Sequence, residues 1–172
     1  MEPSTVVSGG HGLPPAVRHN RGNIHPPEPV PFRAKTEYGL LALLELARLQ
    51  STGEVLQMGE IAQRQDIPDR YLEQMLTDLR KAGILRSIRG PRGGYQLARP
   101  ATELTIAEVV ACLEGETAAP EDRRGSTPEA RVVASLRQRL EQARLGVLEG
   151  TTLQDLHDQR RALTLADSMY FI

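Results

Sequence analysis

Apolar residues crowd the segment from Thr36 to Gln50, where Leu40, Leu41, Leu43, Leu44, Leu46 and Ala47 predict a largely buried first helix. Ser51-Thr52-Gly53 ends it. A short helix is expected at about Met58 to Gln65, with Ile61 and Ala62 inward, before the tight turn Asp66-Ile67-Pro68. The next helix spans 69–82 and stops at Gly83. Its apolar residues Leu72, Met75, Leu76 and Leu79 keep the three-and-four spacing of one buried face. Arg70, Glu73, Gln74, Thr77 and Lys81 therefore project largely the other way.

Two short strands, Ile84–Ile88 and Tyr95–Ala98, flank the turn Gly90-Pro91-Arg92-Gly93-Gly94, where glycines permit positive φ. Thr105-Ile106-Ala107-Glu108 reads as a capping box opening a helix to about Leu113. Thr127-Pro128-Glu129 supplies a cap, a first-turn proline and an acid suited to the dipole, opening a long helix to Glu149. In it Val133, Leu136, Leu140, Ala143 and Val147 are spaced three, four, three, four, the seam of a coiled coil. That seam either packs on its own domain or forms a two-fold dimer contact; we expect the dimer. Leu153, Leu156 and Leu163 suggest one last short helix, and Met169-Tyr170-Phe171-Ile172 an apolar tail end.

The expected architecture is mainly α: a winged helix-turn-helix with a two-stranded wing, plus a long C-terminal dimerisation helix. Four segments follow. Residues 1–31, rich in glycine and proline, cannot bury a core and are expected to be a disordered tail. Residues 32–114 form the DNA-binding domain, 115–127 a polar loop, and 128–172 the dimerisation helix and tail. His11, His19 and His25 are irregularly spaced in the tail, which argues against a metal site there.

Taken alone the net charge of −1 argues against nucleic acid, but its distribution points the other way. Residues 33–100 carry eleven Lys or Arg against eight acids, whereas residues 101–172 carry eight against twelve. Between 80 and 99 there are six basic residues and no acid, a local footprint suited to phosphates. Aromatic content is 3% with no Trp, so the core is built from aliphatic side chains, favouring helices. No apolar run reaches membrane-span length, and a soluble, cytoplasmic protein is expected. The glycine-rich turn lacks the Gly-Lys-Ser/Thr ending of a phosphate loop, and no nucleophile–base set is visible, so an enzyme is not expected.

Several motifs in order carry a resemblance to the bacterial winged-helix regulators that include IscR, NsrR and CymR. They are Lys35-Thr36-Glu37-Tyr38, Tyr71-Leu72-Glu73-Gln74, Leu79-Arg80-Lys81-Ala82-Gly83, Arg89-Gly90-Pro91-Arg92-Gly93-Gly94-Tyr95 and Thr152-Leu153-Gln154-Asp155-Leu156. The likeness covers roughly residues 30–160. It implies a homodimer bound to double-stranded DNA, regulating promoters through an imperfect palindrome, with repression the expected outcome. Arg70, Glu73 and Gln74 would face base edges, as Arg suits guanine, Gln adenine and Glu cytosine. Arg70 replaces the family's usual small residue, and Glu73 has a second reading as its ion-pair partner. Tyr71 either touches a phosphate or covers the core edge. Arg89 would enter the minor groove and Arg92 meet a phosphate. Lys35, Tyr38, Arg80 and Lys81 would contact the DNA backbone, with Thr77 on the same helix face.

Iron–sulfur members carry three cysteines in the loop matching residues 115–127; here that loop has none. The single cysteine, Cys112, is expected to be a small buried side chain, with a redox-active thiol as the other reading. His157 is expected to be a surface helix histidine. No metal or cofactor is expected, and the signal is left open among a small molecule, a partner protein and thiol oxidation. The competing function is a winged-helix module that docks a partner protein instead of DNA.

Overall fold

The computed structural model describes residues 32–115 and 127–169. The expectations for the tail 1–31, for loop residues 116–126 and for Tyr170-Phe171-Ile172 lie outside these. Six α-helices and one two-stranded sheet follow in the order α1 (Ala34–Arg48), α2 (Met58–Gln65), α3 (Asp69–Lys81), β1 (Leu85–Ile88), β2 (Gly94–Leu97), α4 (Ile106–Glu114), α5 (Pro128–Glu149) and α6 (Leu153–Met169). A 3-10 turn, Ala101–Glu103, joins β2 to α4. The mainly helical winged helix-turn-helix is the fold the sequence predicts.

The core is aliphatic. Ala42, Leu43 and Leu46 of α1 pack with Ile61 of α2, Leu72, Met75, Leu76 and Leu79 of α3, and Val109 and Leu113 of α4. Ile84, Leu85 and Leu97 close it under the sheet. Helices α1 and α4 approach closely because position 39 is glycine: a Cβ there would collide with Cδ1 of Leu113. Thr36, fully buried near the start of α1, is satisfied by donating its hydroxyl to Glu114 Oε1 at 3.0 Å.

Two capping boxes meet at the rear of the domain. Glu108 N donates to Thr105 Oγ1 at 3.3 Å while Thr105 N donates to Glu108 Oε2 at 3.2 Å. The Thr152–Asp155 pair repeats this at α6, with distances of 2.8 and 3.1 Å. Backbone bonds from Ile106 N to Thr151 O at 2.9 Å and from Leu153 N to Leu104 O at 2.8 Å then tie the two helix starts together.

The C-terminal part departs from expectation in two respects. Helix α6 runs for 17 residues to Met169 and is not short, since the stretch after Leu156 holds good helix formers and no glycine or proline to stop it. His157 is half-buried, not a free surface residue. Its Nδ1 is enclosed without a hydrogen-bond partner among the described residues, and burial, then the Arg160 charge, push its pKa down.

The seam of α5 is left uncovered by the described residues of its own chain. Thr127 Oγ1 caps the helix from Ala130 N at 3.2 Å with Pro128 in the first turn. Along the helix only Leu148 is buried, against Ile106 and Val110. Val133, Leu136, Leu140, Ala143 and Val147 are all exposed.

Candidate nucleic-acid interface

The candidate surface starts from a three-residue turn. Asp66, at the end of α2, adopts the left-handed conformation at φ 51°, and Ile67 N donates back to Ala62 O at 3.0 Å. Ile67 is thereby buried, and Pro68 becomes the cap of α3, with its carbonyl accepting from Tyr71 N and Leu72 N at 3.0 and 3.1 Å. Burial of Leu72, Met75, Leu76 and Leu79 fixes the rotation of α3. Arg70, Tyr71, Glu73, Gln74, Arg80 and Lys81 are consequently exposed, with Thr77 half-buried at the margin.

These side chains are not all loose. The Arg70 guanidinium lies over the Tyr71 ring, 4.8 Å from its centroid, and Nη2 donates to the Tyr71 hydroxyl at 3.1 Å. The alternative of an Arg70–Glu73 ion pair does not occur. Tyr71 in turn leans toward Tyr38 of α1, with ring centroids 6.5 Å apart. Gln74 Nε2 donates to both carboxylate oxygens of Asp78, at 3.1 and 3.3 Å. Lys35, expected on the DNA backbone, sits 2.7 Å from Asp78 Oδ2. The sequence reading passed over Asp78, although its spacing of four from Gln74 was a legible signal.

The wing is an antiparallel pair in the register Leu85↔Leu97, Arg86↔Gln96, Ser87↔Tyr95 and Ile88↔Gly94. Gly90, at φ 115°, turns the tip, and Gly93 N donates to Gly90 O at 2.9 Å. Arg89 and Arg92 are exposed there. The wing is fastened to the chain after α1 by a bridge, Leu56 N to Tyr95 O at 3.1 Å and Tyr95 N to Leu56 O at 2.8 Å. Gly94 makes that approach possible, since a Cβ there would collide with the Leu56 carbonyl.

Not every basic residue between 80 and 99 serves this face. Arg99 is paired with Glu108 at 3.0 Å, and Arg86 Nε donates to Gln96 at 2.8 Å. Arg80, Lys81, Arg89 and Arg92 have no ion-pair partner among the described residues. They lie on α3 and at the wing tip, where unneutralised charge is suited to an anionic partner.

Cys112 is half-buried on α4. Burial first, and the Asp78 carboxylate second, push its thiol pKa up, with Lys35 opposing. One cysteine per chain falls short of the thiolate set that holds an iron–sulfur cluster. No group of three or more His, Cys, Asp or Glu among the described residues is placed to hold a metal ion.

A helix-turn-helix with an outward polar face beside an arginine-tipped hairpin defines a winged-helix DNA-binding protein. Residues 32–159 match the Rrf2 family, described as iron-dependent transcriptional regulators. CymR of Bacillus subtilis is 36% identical over 122 residues, covering 71% of this chain and 86% of that protein. IscR of Cereibacter sphaeroides is 43% identical over 81 residues, 46% of this chain and 52% of that protein. Among solved structures, B. subtilis CymR, described as the global cysteine regulator of that organism, superposes with a TM-score of 0.66 at 34% identity, covering 74% of this chain and 96% of that one. T. potens IscR gives 0.63 at 31% identity, covering 74% and 86%. The chain belongs to the Rrf2 family of DNA-binding transcriptional regulators. Its relatives are regulators and not enzymes.

Proposed function

We propose that this regulator acts as a homodimer that represses transcription by occupying an imperfect palindrome. The observation that carries the reading is the one-sided locking of α3: four buried side chains fix which residues face out, and they face out beside Arg89 and Arg92. Arg70, Glu73 and Gln74 then read base edges in the major groove, while Arg89 enters the adjacent minor groove. Tyr71, Thr77, Arg80, Lys81 and Arg92 hold the phosphates, with Tyr38 behind Tyr71 and Lys35 acting through Asp78. Residues 32–114 form the DNA-binding part and 128–172 the pairing part. The exposed seam of Val133, Leu136, Leu140, Ala143 and Val147 favours a two-fold contact, which would set two recognition helices about one DNA turn apart. The signal, a small molecule or a partner protein, acts on this dimer, and the site of action is the cytoplasm, where the chromosome lies.

Selection from a random duplex library with purified protein, sequenced at two salt concentrations, tests the reading. The expected result is a two-fold symmetric site. If Arg80, Lys81 and Arg92 of each protomer neutralise phosphates, the logarithm of the binding constant falls with log salt at a slope of roughly −5. Enrichment of no site, with or without cell extract, would favour a wing that docks protein instead.

A further inference from the structure

We propose that Asp78 is a specificity-determining positioning residue, which orients the Gln74 amide so that the recognition helix reads adenine. The inference rests on the reading that α3 lies in the major groove, and goes beyond it by naming the residue that sets how Gln74 meets its base.

Gln74 and Asp78 stand one helical turn apart, and both carboxylate oxygens accept from Gln74 Nε2. A carboxylate only accepts, so the amide meets it with its NH2 end and not its oxygen. The two oxygens of one carboxylate sit close together, so one forked N–H can serve both and leave the other free. The carbonyl oxygen and the other N–H have no partner among the described residues, and they form an acceptor and a donor side by side. Adenine presents the complement in the major groove, an N6 donor next to the N7 acceptor. Guanine presents two acceptors there, which would face the Gln74 oxygen unfavourably.

Asp78 is itself held. Lys35, 43 residues upstream on α1, donates to Oδ2 at 2.7 Å. The Lys35 hydrogen bond and charge, with Gln74 and Lys81, keep the Asp78 carboxyl below its usual range against the opposing effect of burial. Lys35 also offsets a negative charge that would otherwise stand close to phosphates. The orientation of one recognition side chain is thus anchored to the frame of the domain and not only to its own helix.

The test compares sites selected from a random duplex library by the intact protein, Gln74→Ala, Asp78→Ala and the double variant. Gln74→Ala is expected to lose the adenine at one position of each half-site. Asp78→Ala should weaken preference at that same position by about three- to ten-fold. Its affinity for non-specific DNA should hold or rise, because Lys35 is released, an effect that mere destabilisation of the helix would not give. In the Gln74→Ala background, removing Asp78 should change nothing at that position. Asp78→Asn, isosteric and uncharged, covers the case in which alanine unsettles the helix. Its amide can meet Gln74 with either end, so adenine preference must fall there too. Full adenine preference in Asp78→Ala and Asp78→Asn, with loss in Gln74→Ala, would overturn this proposal alone. A selected motif unaltered by Gln74→Ala would overturn the base-reading role of Gln74 with it.

Discussion

Replacing Leu136 and Leu140 together by glutamate should convert the protein into a folded monomer. Leu136 is 53% exposed and Leu140 64% exposed in the single chain, so more than half of each side chain is left for a partner to cover. Full burial of a leucine is worth about 1.5–3 kcal/mol, so the exposed part of each is worth about 1 kcal/mol on association. Two-fold symmetry places four such side chains in one interface, for about 4 kcal/mol, roughly a thousand-fold in the dimer dissociation constant. Four carboxylates along one seam would add repulsion to that loss. The same substitutions leave the domain core untouched, so unfolding of the monomer should move by no more than about 0.5 kcal/mol. Sedimentation equilibrium, read beside urea denaturation, separates the two effects, and a palindromic duplex should be bound far more weakly. A dimer of unchanged stability would refute the seam. So would a collapse of the monomer, since it would mean that these leucines belong to the core.

Two further outcomes check the site. Gly94→Ala should break the bridge between Leu56 and Tyr95, two hydrogen bonds worth about 1 kcal/mol each, and loosen the wing. Hydrogen exchange at the Leu56 and Tyr95 amides reads this directly, and protection equal to that of the unsubstituted protein would show that the strand absorbs the methyl group. The Cys112 thiol has a pKa raised first by burial and then by the Asp78 charge, so its thiolate is scarce below the ordinary thiol range. Iodoacetamide should therefore label the native protein much more slowly than the unfolded chain at mildly alkaline pH, with the native rate climbing as pH rises and Asp78→Asn accelerating it. Equal native and unfolded rates would favour the other reading, a reactive thiol.

Local pattern was enough to determine the helix-turn-helix and its wing. The spacing of Leu72, Met75, Leu76 and Leu79 dictates which way Arg70, Glu73 and Gln74 face, because a helix has one period and one buried stripe. Capping residues and glycines marked the boundaries for the same reason: satisfying orphan backbone groups, or adopting positive φ, is decided within a few residues. The length of α6 escaped because Leu163, Leu165 and Met169 stay exposed, so no buried stripe marks its second half. What tertiary structure alone decided are contacts between residues distant in the chain. The pairing of Lys35 with Asp78 joins α1 to α3 across 43 residues, and Arg99 is drawn from the basic run to Glu108. No periodicity encodes such partners, since an ion pair forms wherever packing of the apolar faces brings two charges together. The hydrophobic stripes therefore fixed the direction of the outward polar face of α3, while packing decided which of its polar groups are held and which are free among the described residues.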